Sequence, residues 1–148
     1  MSKRISLIAG SFALSAAMIA GAAAPVFPAA QASAESAEKV ITSGSWEKVS
    51  FKSSGTWSIV ESGGSYFVEL SSDFKTRKAP DLKIFLSPQP AGSLNGKNAT
   101  DGAVLVSELS SNRGGQRYEI PAGVNPSEFS SIAIHCEQYS KLWSVSEL

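Results

Sequence analysis

The chain has 148 residues, with 13 basic and 13 acidic side chains, a formal net charge of zero, one cysteine and one histidine. Without a concentrated basic cluster it offers little to nucleic acid, because phosphate binding needs massed Lys and Arg. With so few Cys, His and Met residues it excludes a blue-copper set, a four-ligand zinc site and a Cys-x-x-Cys-His haem attachment.

Residues 1–34 read as a cleaved signal peptide. Lys3 and Arg4 supply the positive start, 5–24 is an apolar stretch, and Pro25 and Pro28 break it. Ala30-Gln31-Ala32 and Ala32-Ser33-Ala34 both give the small-x-small pattern that signal peptidase cuts. An uncleaved anchor is the alternative, since the apolar run approaches the ~20 residues that cross a bilayer. No cysteine lies near the cut, and Lys3-Arg4 is not a twin-arginine pair. The expectation is a secreted or periplasmic protein exported by the general route, with no membrane span after cleavage. Loss of Lys3 and Arg4 with the leader leaves 11 basic against 13 acidic residues, a net charge of −2.

Residues 35–43 are small, polar and charged, and read as a tether. The remainder, 44–148, is long enough for one domain with its own core. Its pattern is short β-prone runs separated by Gly, Ser, Pro and Asn: 46–51, 56–60, 66–70, 82–86, 103–109, 116–120, 129–136 and 142–148. Gly63-Gly64 between the second and third runs is a hairpin signal, because such turns need positive φ. A long loop spans 91–102, and Gly114-Gly115 precedes 116–120. Asn125 can cap one helical turn at 126–129. No stretch sustains helical periodicity. Together these runs predict an all-β, single antiparallel β-sandwich or barrel-like domain of about seven to nine short strands.

Cys136 is the residue that most needs an explanation. Exported proteins usually carry cysteines in pairs, and a lone thiol cannot close an internal disulfide. Alternation places Ile132, Ile134 and Cys136 on one strand face and Ala133, His135 and Glu137 on the other. Neighbours in a regular strand do not form a thiolate–imidazole pair without a bulge. Three readings stay open: a buried thiol packing as a small hydrophobe, a reactive or cofactor-linked thiol, or an intermolecular disulfide. The thiolate is the reactive form, so it needs a positive neighbour, and Lys141, Arg113 and Arg117 are the candidates. Asp73 and Asp81 read as turn residues bonded to backbone N–H groups. Lys75, Arg77 and Lys78 read as a solvated turn, and Trp46, Trp57 and Trp143 as core or rim aromatics. Asn98-Ala99-Thr100 matches a glycosylation acceptor.

Gly55-Thr56, Asp73-Phe74, 79–87 (APDLKIFLS), 114–121 (GGQRYEIP) and Ile134-His135-Cys136 occur in that order. Together they resemble the electron-transfer DM-thirteen domain family, small extracellular domains often found beside DOMON domains. The resemblance implies a β-rich domain whose cysteine, here Cys136, takes part in redox chemistry as a bare thiol or through a bound group such as haem. It also implies roles for Asp81 at the Pro-Asp-Leu strand start and for Gln116 and Tyr118 in the Gly-x-Gln-x-Tyr segment. His135 stands where the family commonly has Trp, and could tune the thiol or supply a cofactor ligand. Trp143-Ser144-Val145-Ser146 replaces the family's aromatic-Gly-x-Ala. The implied counterpart is a redox partner protein or a cell-envelope component, for an electron-transfer domain rather than a turnover enzyme. The alternative is a non-catalytic cell-surface module, binding or structural, in which Cys136 only packs.

Overall fold

Alternating apolar residues in runs this short must pair with distant runs to bury one face, and among the described residues nine strands form. The computed structural model describes residues 37–148, so the expected leader and the first residues of the tether lie outside the described range. The strands are β1 (Lys39–Ser45), β2 (Glu47–Lys48), β3 (Thr56–Ser62), β4 (Ser65–Leu70), β5 (Leu82–Ser87), β6 (Val104–Glu108), β7 (Gln116–Glu119), β8 (Ser131–Cys136) and β9 (Lys141–Glu147). They form a four-stranded sheet, β1-β3-β4-β7, and a five-stranded sheet, β2-β9-β8-β5-β6. Every pairing is antiparallel, and the sheets do not close into a barrel.

The β3–β4 hairpin turns on Gly63 and Gly64, with φ of 59° and 83°, as the doubled glycine requires. Period-2 alternation then turns Trp57, Ile59, Val68, Leu70 and Tyr118 of the smaller sheet inward. They meet Leu82, Ile84, Leu86, Ile132, Ile134 and Cys136 of the larger one. A second apolar cluster lies on the outer face of the five-stranded sheet. There Ala91, Leu94 and Ala99 of the 91–102 loop cover Ala133, Leu142 and Val145. Asn95 and Asn98 fold that loop through side-chain acceptance of backbone N–H groups. The Asn98 amide is spent on Ser93 O at 3.0 Å, which ties up the side chain of the acceptor motif.

Three strands carry one unpaired extra residue each: Ile41 in β1, Val106 in β6 and Trp143 in β9. Two expectations are corrected. Part of the segment read as a tether is strand, because β1 starts at Lys39 and pairs with β3; its mostly exposed residues gave no alternation to read. The run 46–51 is strand only at Glu47–Lys48. Beyond it the chain bends, and the amides of Val49, Ser50 and Phe51 all donate to the Trp143 carbonyl at 3.1–3.3 Å. That carbonyl is available because Trp143 is the bulged residue of β9. The single helical turn at Pro126–Glu128 forms as expected, with the Asn125 side chain accepting from Ser127 N.

Candidate functional site

β8 is the middle of the larger sheet, bonded to β5 on one side and β9 on the other, and all six of its residues are buried. Cys136 ends it. Its side chain is 0% exposed and belongs to the cluster between the sheets, while His135 points to the outer face. The structure therefore does not bring the thiol and the imidazole together, as alternation required. The bulge that could have changed this lies in β9, not in β8.

His135 is held rather than offered. Its ring meets Phe85 edge-on at 6.1 Å, and Nε2 lies 3.1 Å from the Gly96 carbonyl. A carbonyl only accepts, so Nε2 carries the proton and Nδ1 is left buried without a partner among the described residues. Gly96 is there because nothing larger fits: a Cβ would come within 2.1 Å of Ser140 O. A haem held jointly by Cys136 and His135 does not fit this arrangement. The two side chains lie on opposite faces, the sulfur is enclosed in a packed core, and Nε2 is committed to Gly96. Among the described residues no group of three or more His, Cys, Asp or Glu is placed to hold a metal ion.

Of the three cations that could favour a thiolate, only Lys141 is brought beside Cys136. The two are direct cross-strand partners, so both side chains leave the sheet on the same side. Arg117 sits on the other sheet, stacked over Phe67 and bonded to Glu38 and Glu69 at 2.6 Å each. Arg113 pairs with Lys75 in an isolated bridge.

The turn from Glu137 to Ser140 closes the strand, with Ser140 in the left-handed region at φ 47°. Asp81 pins it. One carboxylate oxygen accepts the Gln138 N–H at 3.0 Å, and the other pairs with Lys83 at 3.2 Å. Lys83 also binds Glu137. These hydrogen bonds, that to Glu137 first and that to Asp81 next, hold the Lys83 ammonium above its ordinary value of 10.5. Asp81 thus bonds a backbone N–H as expected of it, but across the sheet rather than in its own turn. We expect Asp81→Ala to cost about 1 kcal/mol and to raise the labelling rate of native Cys136 several-fold. Equal stability loss with an unchanged labelling rate would mean that Asp81 does not guard the thiol.

Gln116 and Tyr118 do different work. Tyr118 OH donates to Gln116 Oε1 and accepts from Ser110 N, and Gln116 also accepts from Ser111 N and donates to Gly114 O. They clasp the loop before β7 and are not part of the Cys136 neighbourhood. Asp73 likewise accepts from Ser71, whose hydroxyl caps Thr56 N. Trp46, Trp57 and Trp143 are all buried, as core aromatics.

Sequence reasoning missed the surroundings of the turn. Phe51 packs on Trp143 with ring centroids 4.2 Å apart, and Arg77 and Lys141 both stand over the Phe51 ring. The only signal for this was the Arg77-Lys78 pair, which reads equally as a solvated turn. Inside, Ser53 links Thr76 and Ser144 through buried hydroxyl bonds of 2.9 and 2.7 Å. A family model described as electron transfer DM13 matches residues 47–145. No curated protein and no solved structure gives a match.

Proposed function

The chain belongs to the electron transfer DM13 family, and from that premise we propose that it is an exported single-domain electron-transfer protein whose redox residue is Cys136. The observation that carries the reading is the pairing of Cys136 with Lys141 at the end of β8, the one place where a thiol and a cation share a face. A thiol reacts as its thiolate, and Lys141 is the cation that the strand register brings to that face. The thiol is shielded, so it exchanges electrons when the Glu137–Ser140 turn opens rather than as an exposed nucleophile. Export rests on Lys3-Arg4, the apolar run after it and the two small-x-small sites. The counterpart is a redox partner protein or a component of the cell envelope.

A second reading has its own support. A side chain that is 0% exposed in an apolar cluster is what a packing cysteine looks like. Thiol titration separates the two. The redox reading expects Cys136 in the native protein to react with a small disulfide reagent faster than the chain unfolds, and expects Cys136→Ala to fold while losing all electron exchange. A thiol that reacts only in denaturant, in a protein whose role in its host survives Cys136→Ala, belongs to the packing reading. A visible absorption spectrum of the protein from its native host shows whether a coloured group accompanies it.

A further inference from the structure

A groove of about 560 Å³ opens beside the turn that follows Cys136, within the 300–1,000 Å³ typical of small-molecule sites. Its walls include Phe51, Arg77, Lys78, Tyr139, Lys141 and Trp143, and no acidic residue lines it. The four ion pairs among the described residues engage only two cations, Lys83 and Arg117. Arg77, Lys78 and Lys141 therefore bring three charges to one groove with no carboxylate to offset them. An adjoining groove adds Lys52 and Lys75, sharing Arg77. In a chain of zero formal net charge, this concentration is local.

The aromatic part is as specific as the charge. Arg77 Cζ lies 4.7 Å and Lys141 Nζ 5.4 Å from the centroid of the same Phe51 ring. Two like charges on one ring repel each other, and the ring face offsets only part of that cost. Tyr139, 60% exposed, stands in the same wall and is the ring left uncovered there.

The geometry points to a binding site for a small planar anion, an aromatic ring carrying a carboxylate or sulfonate. The ring lies against Tyr139, and the anionic group is taken by Arg77 and Lys141, the two cations held at the Phe51 ring. A bare inorganic anion satisfies the charges and leaves Tyr139 unused. A neutral ring covers Tyr139 and leaves the cations unpaired. Only a ligand with both parts uses what the groove presents. The site does not depend on redox chemistry at Cys136.

Calorimetric titration of the full chain with 2-naphthoate tests this, with naphthalen-2-ylmethanol and sodium sulfate as comparators and amide chemical shifts to locate the site. Naphthoate is expected to bind, with shifts confined to Phe51, residues 77–80 and residues 139–143. The double variant Arg77→Gln/Lys141→Gln is expected to weaken it at least about tenfold, the loss of two charge-assisted contacts. Tyr139→Ser removes its advantage over acetate, titrated alongside, and Lys39→Gln, on β1, changes nothing. Cys136→Ala binds as the parent does, so the outcome stands apart from the role of the thiol. Equal binding of the neutral alcohol, equal competition by sulfate, shifts elsewhere, or no naphthoate binding at millimolar concentration each overturns the assignment.

Discussion

Trp57→Ala is expected to destabilise the domain by about 3–5 kcal/mol, the range for removing a buried aromatic from a packed core. Trp57 is 1% exposed and sits where the sheets meet, its ring 6.4 Å from that of Trp46. Its cross-strand partner is Gly44, and a Cβ there would come within 2.7 Å of the indole. The ring thus lies over the bare backbone of β1, and no side chain there can relax into the space it leaves. The indole N–H has no acceptor among the described residues, so Trp57→Phe loses the smaller part of the ring and sheds an unsatisfied donor. It should cost less than half as much. Denaturant midpoints at a constant m-value measure both. A Trp57→Ala loss below about 1 kcal/mol would contradict the packing described.

Gly96→Ala is the second large effect, at about 2–3 kcal/mol for forcing atoms into a filled space. The new methyl would lie 2.1 Å from Ser140 O and 3.1 Å from Ser140 C. Both are backbone atoms, so no rotamer change relieves the contact. Gly96 is not in the left-handed region, and the restriction is one of room alone. Either the 91–102 loop lifts or the Glu137–Ser140 turn moves. If the loop lifts, His135 Nε2 loses the Gly96 carbonyl and the second apolar cluster opens to water. The imidazole resonances of His135 then move together with the loss of stability. A stable Gly96→Ala protein with an unchanged histidine spectrum would show that the loop does not seal this face.

The strand runs were legible because apolar residues alternate within them, and Gly63-Gly64 announced its hairpin. The opposite placement of Cys136 and His135 followed from the same period of two. What could not be read is what covers the outer face. Alternation marks one side of β8 as apolar and leaves His135 on the other, yet Leu94 and Ala99 arrive there from a loop more than 30 residues away. β1 was illegible for a different reason. Lys39, Thr42 and Ser43 carry no apolar period, and the strand exists because β3 offers it an edge. The site was half legible. Cys136 could be singled out by count, but its pairing with Lys141 depends on the extra residue at Trp143, and a bulge leaves no mark in composition. The groove joins Phe51, Arg77 and Lys141, which meet only through the fold.

The extra residues in β1 and β6 have a bearing on solubility. An open two-sheet sandwich has four free edges, here β1, β7, β2 and β6, and each is a template on which another chain can pair. None is offered intact. β1 is interrupted at Ile41 and β6 at Val106, so an incoming strand cannot keep register along either. β2 is two residues long, and β7 is four residues with Arg117 and Glu119 exposed. The same irregularities that hide these strands from a sequence reader leave neither β1 nor β6 an unbroken register for another copy to follow.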